Sequence, residues 1–226
     1  MGIKKKITVL LIIVLLTIPV NMPQIVYATS GKTKDENQVT KQTVIKIFES
    51  QSNSKDMGTR ITANQNLKTF NALSDEKKKE FVEIINNPDK LNKKMTVEVE
   101  NSSLVNTVTA AKTTRKNVGK NFNYKLLGVN MYGLHLDVSY QVSGGKVSKT
   151  TGSSAYCTYS YNPLVKINFI TKTNYVSQDK QAYARAKFRY AVGPFKGMSA
   201  QICVRAVSVA GNGKGELSYW NDWREG

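Results

Sequence analysis

From Ala182 to Val192 the chain alternates small or apolar residues with charged and aromatic ones. Ala182, Ala184, Ala186, Phe188, Tyr190 and Val192 share one parity; Tyr183, Arg185, Lys187 and Arg189 share the other. Alternate side chains of a strand point to the same face. The spacing therefore predicts a row of three cations beside one aromatic ring. Arg grips phosphate or carboxylate through paired N–H donors, and Lys adds a point charge. A row of this kind can follow a polyanion. Charge on an exposed strand also guards against edge aggregation, so the row draws its meaning from the region around it.

Other constellations carry less chemistry. His135, the one histidine of the chain, lies two residues from Asp137, with Ser139 and Ser143 on the same strand parity. A His–Asp pair orients a general base, yet nothing in the spacing marks a nucleophile. The five carboxylates of residues 101–226 are scattered, without the paired acids of glycoside cleavage. Gly211-Asn212-Gly213-Lys214-Gly215 is glycine-rich, but a phosphate-cradling loop needs a longer spacing and a helix behind it. A hairpin turn is the expectation there. Two cysteines and one histidine are too few for a standard zinc site, so no metal and no cofactor is expected. Tyrosines and Trp220 and Trp223 are frequent in the second half. Exposed rings of these types stack on sugars or settle at membrane interfaces.

Charge separates the chain into two parts. The whole sequence of 226 residues is +17. Residues 29–100 hold 13 Lys and Arg against 11 Asp and Glu, whereas residues 101–226 hold 17 against 5. An excess of +12 in the second part points to an anionic partner.

The first 28 residues read as an export leader of bacterial layout. Lys4, Lys5 and Lys6 precede the apolar run 7–20, and Val26-Tyr27-Ala28 supplies small residues before a cut between Ala28 and Thr29. The run is too short for a spanning helix, which needs about 20 apolar residues. Removing the leader lowers the net charge to +14. An exported chain with an even cysteine count favours a Cys157–Cys203 disulfide.

The elements that must position these residues follow from periodicity. Val44, Ile47 and Phe48 fit one helical face. Ser74 before Asp75 and Glu76 reads as a helix N-cap with acids in the first turn, and Phe81, Val82, Ile84 and Ile85 form that helix's packed side. At Lys94 the texture changes. Met95–Glu100 alternates, and Leu134, Leu136, Val138, Tyr140 and Val142 alternate with polar residues in the strongest strand of the chain. Gly144-Gly145 then supplies a hairpin turn. Further strands are expected near 155–161, 165–173, 182–192, 199–210 and 217–220.

These readings predict an α+β chain: leader 1–28, a short helical region 29–94, and a basic antiparallel β-sandwich or barrel-like domain over 95–226. The expected role is a secreted, non-enzymatic binding protein. Tyr183, Arg185, Lys187 and Arg189 would contact an anionic envelope polymer or an anionic membrane surface. Three alternatives compete. One is a membrane-active toxin or antimicrobial effector, drawn from the loosely alternating Ser/Thr-rich stretch Thr96–Thr114. Another is an adhesin or immunity-type factor that binds protein. The last is a hydrolase centred on His135 and Asp137.

Overall fold

Among the described residues four helices form where capping residues and apolar spacing coincide: α1 (Lys41–Ser52), α2 (Met57–Ala72), α3 (Asp75–Ile85) and α4 (Pro88–Lys94). Each starts at a side-chain cap. Thr40, Asp56, Ser74 and Asn87 accept from the backbone N–H three residues on, which satisfies a donor the helix cannot pair. Val44, Ile47 and Phe48 of α1 and Phe81, Ile84 and Ile85 of α3 are buried, as their spacing predicts. The computed structural model describes residues 38–102, 107–109, 113–162, 164–192 and 201–225. The leader and its Ala28–Thr29 cut lie outside the described residues.

The switch to strands falls at Met95. Sheet A contains β1 (Thr96–Asn101), β2 (Thr107–Thr109), β3 (Thr113–Leu126), β4 (Val129–Ser143) and β5 (Lys146–Ser160). Its order is β1-β3-β4-β5, with β2 also pairing β3. Sheet B contains β6 (Val165–Val176), β7 (Ala182–Val192), β8 (Gln201–Gly211) and β9 (Leu217–Glu225), in that order. Every pairing is antiparallel. The architecture is α+β, and neither sheet closes on itself among the described residues. Gly144 and Gly145 take φ of 57° and 75° between the paired residues Ser143 and Lys146. That left-handed pair makes the expected two-residue hairpin.

Alternation places the core. Leu134, Leu136, Val138 and Tyr140 of β4 are buried, as are Ala184, Ala186, Phe188 and Tyr190 of β7 and Val207 and Val209 of β8. The inner faces meet through specific contacts. Tyr132 and Tyr190 have ring centroids 5.2 Å apart, Tyr140 Oη donates to Asn212 O at 2.9 Å, and Tyr124 Oη donates to Asp222 Oδ1 at 2.7 Å. Arg205 lies 4.9 Å over the Tyr124 ring and pairs with Asp222 at 3.3 Å.

The helices dock on sheet A. Phe48, Phe70 and Phe81 form an edge-to-face chain, and Phe48 also meets Tyr161, whose Oη donates to Thr59 O at 2.9 Å. Asn66, fully buried on α2, donates from Nδ2 to Asn130 O at 2.8 Å and accepts from Asn130 N at 2.9 Å. The described residues form one compact unit.

The expected Cys157–Cys203 disulfide is not formed; both thiols are free. Cys157 lies on β5 opposite Leu134, and Cys203 on β8 opposite Tyr190. β5 packs on β6 and β7, while β8 packs on β3 and β4, so the two cysteines belong to different parts of the core. Cys157 Sγ instead donates to Tyr159 O at 3.2 Å. Burial pushes its thiol up to about 11 and raises that of Cys203 as well.

Candidate functional site

The alternation of β7 is realised in full over 182–190. Ala182, Ala184, Ala186, Phe188 and Tyr190 are buried, while Tyr183, Arg185 and Lys187 are half-buried and Arg189 is exposed. The four predicted residues therefore stand together on the outer face of sheet B. Register then assigns their neighbours. Tyr183 sits opposite Tyr175 on β6 and Ala210 on β8, and Ala210 sits opposite Tyr219 on β9. The result is an aromatic row across the sheet. Tyr175 and Tyr183 stack at 5.5 Å with 8° between planes, and Tyr219 follows at 6.0 Å from Tyr183.

Below this row β8 presents small residues outward. Ser208 lies opposite Arg185, and Ala206 opposite Lys187. Because β8 is low, β7 and β9 become the walls of a cleft of about 560 Å³, lined by Tyr175, Tyr183, Arg185, Ser208, Tyr219 and Trp223. The Arg185 guanidinium lies 4.5 Å from the centroid of the Trp223 ring. Such stacking fixes the planar fork.

The three cations are not equivalent. Glu225 on β9 pairs with Arg185 and, at 2.7 Å, with Lys187. The Lys187 hydrogen bond, followed by the field of both cations, holds the Glu225 carboxyl below its ordinary range. Arg189 makes no ion pair among the described residues and lies opposite Asn168, two residues from the exposed Lys166. The free positive charge of the face is therefore at the Arg189 end, and the aromatic cleft at the other.

Sequence reasoning found the cations and Tyr183 but not the rest of the cleft. Tyr175, Tyr219 and Trp223 announce their type in the sequence. Their shared face depends on cross-strand register.

His135 and Asp137 lie on the outer face of sheet A, far along the topology from the cation row. His135 Nε2 is 3.1 Å from Asp137 Oδ2, and Nδ1 is 2.7 Å from Asn121 Oδ1. Burial opposes the Asp137 charge, but hydrogen bonds from His135 and the Ser154 N–H hold its carboxyl below the usual range. Ser139 Oγ accepts from Asn117 Nδ2 at 2.8 Å, so the Ser139 hydroxyl is engaged by an amide rather than by the imidazole. Gly211–Gly215 forms the β8–β9 turn, with Asn212 Oδ1 accepting from the Lys214 and Glu216 N–H groups. No group of three or more His, Cys, Asp or Glu that could hold a metal occurs among the described residues.

Comparison with protein-family models, with curated proteins and with solved structures finds no match.

Proposed function

We propose that this chain is a secreted, non-enzymatic binding protein that holds an anionic envelope polymer on the outer face of sheet B. The observation that carries this reading is the convergence of Arg185, Lys187 and Arg189 with Tyr175, Tyr183, Tyr219 and Trp223 on one sheet face. The rings offer flat surfaces to the sugar or polyol parts of such a polymer, and the cations offer donors to its phosphate or carboxylate groups. The leader pattern of residues 1–28 supports a site of action outside the cell. In this reading the two sheets form a β-sandwich, supported by the Tyr140–Asn212 and Tyr124–Asp222 bonds between them.

A second reading rests on Phe169 and Ile170, 47% and 44% exposed at the β6 irregularity between Phe169 and Thr171. Phe169 lies opposite the buried Phe188 and Ile170 is the extra residue of the irregularity, an exposed apolar pair that suits a docked membrane surface. The test is retention of the mature protein on immobilised teichoic acid and on vesicles with anionic headgroups, over a salt series from about 50 to 500 mM. Retention on the polymer that falls steeply with salt supports the first reading. It should weaken about tenfold or more when Arg185, Lys187 and Arg189 are all changed to Gln. Retention indifferent to salt overturns it, and capture by vesicles alone selects the membrane.

A further inference from the structure

Sheet A carries a second surface of different character on its own outer face. Two adjoining cavities, about 750 and 380 Å³, share Asn121 and Thr158 and make one groove. Both volumes lie in the range of small-ligand sites, about 300–1,000 Å³. Helix α2 borders one end through Thr59, Thr62 and Gln65.

The groove is built by parity. On β3, Val118, Phe122 and Tyr124 turn into the core, which leaves Asn117, Asn121 and Asn123 outward. On β4, His135, Asp137 and Ser139 take the same side, opposite Asn121, Gly119 and Asn117. On β5, Tyr156 lies opposite His135 and stacks on it, with centroids 4.7 Å apart and 27° between planes. Between Gly133 and Leu134 the register slips, and Thr158 becomes the extra residue. A Cβ at Gly133 would stand 2.2 Å from Thr158 Oγ1 and 2.6 Å from the Tyr159 ring, so glycine is what lets β5 fold over β4 there.

We propose that this groove binds an uncharged, hydroxyl-rich chain, a neutral oligosaccharide. Three observations carry the assignment. Tyr156 has one ring face against His135 yet remains 48% exposed, which leaves a flat platform for a sugar ring. Amide and hydroxyl groups dominate the lining, and several are uncommitted. The Tyr156 hydroxyl and the end of the Asn121 amide turned away from His135 make no hydrogen bond among the described residues, and Thr158 Oγ1 is buried there without a partner. Such groups suit hydroxyls that donate and accept in turn. Charge does not favour an anion. Asp56, Glu98, Glu100 and Asp137 face Arg115, Lys116 and Lys125, and Lys125 is already paired with Glu98. The near balance contrasts with the cation row of sheet B.

Calorimetric titration of the mature protein with the glucose tetramer cellotetraose and the N-acetylglucosamine tetramer chitotetraose tests the proposal. At least one should bind, with an affinity that stays within about twofold between roughly 50 and 500 mM salt. Tyr156→Ala, at an exposed position, and Asn121→Ala should each weaken binding about tenfold. Changing Arg185, Lys187 and Arg189 to Gln should leave it unchanged. That separates this groove from the polymer-binding face. Binding of neither tetramer, affinity that falls with salt, or wild-type affinity in both Tyr156→Ala and Asn121→Ala overturns the proposal.

Discussion

Asn66 is the point at which helix α2 and sheet A are joined by polar bonds. Its Nδ2 donates to Asn130 O at 2.8 Å, and its Oδ1 accepts from Asn130 N at 2.9 Å and Asn130 Nδ2 at 3.1 Å. Replacing it by Ala leaves the Asn130 N–H and C=O buried without partners. Each such group costs about 1–3 kcal/mol. Water entering from the neighbouring groove, which Asn130 also lines, offsets part of that. The expected loss is about 3 kcal/mol. For a domain of this size that lowers Tm by about 6–12 °C. Asn66→Asp separates geometry from charge. One carboxylate oxygen can still accept from Asn130, but the other faces the Asn130 carbonyl, acceptor against acceptor. The ionised form is disfavoured in the fold, so the pKa of this Asp rises above its unfolded value of about 3.9. A raised pKa gives stability that is present at low pH and lost as pH rises. The gap between Asn66→Asp and wild type should therefore be smallest below about pH 4 and widen toward pH 7. Guanidinium unfolding followed by circular dichroism at several pH values reads both effects. An Asn66→Ala protein within about 0.5 kcal/mol of wild type, or an Asp gap that closes with rising pH, would refute the reasoning.

Two further perturbations follow from the same geometry. Glu225→Gln removes the carboxylate that occupies Arg185 and Lys187. Binding of an anionic polymer should tighten by about two- to fivefold at low salt, with a steeper salt dependence; unchanged or weaker binding would show that the two cations do not meet the ligand. Thiol titration of the native, unreduced protein at neutral pH should be slow, because burial keeps Cys157 and Cys203 protonated. After unfolding without reductant, two thiols should react per chain, and none would mean that a disulfide forms after all.

The helices were legible because capping and periodicity act locally. Ser74 and the Val44, Ile47, Phe48 face each need only a few neighbouring residues to be read. The alternation of β7 was equally plain. Strand β3 was not visible. Its outward side holds Asn117, Gly119, Asn121 and Asn123, residues that favour turns, and they are tolerated because β1 and β4 pair it on both sides. The Glu225 pairing was hidden for another reason. Forty residues separate it from Arg185, and only the β7–β8–β9 register brings them together. The disulfide expectation failed in the same way, since cysteine count says nothing about which strands face one another.

The order of the strands also bears on how the molecule forms. From β3 to β5, and again from β6 to β9, each strand hydrogen-bonds to the one that precedes it in the chain. The turns at Leu127–Gly128 and Gly144–Gly145 are two residues long. Loop closure costs little when the joined segments are near in sequence, and folding is faster when contacts are local. Each sheet can therefore zip from its own hairpins, leaving contacts such as Tyr132–Tyr190 and Tyr140–Asn212, which join residues far apart in sequence, at the higher closure cost. A chain assembled this way exposes its apolar strand faces only until those distant contacts form.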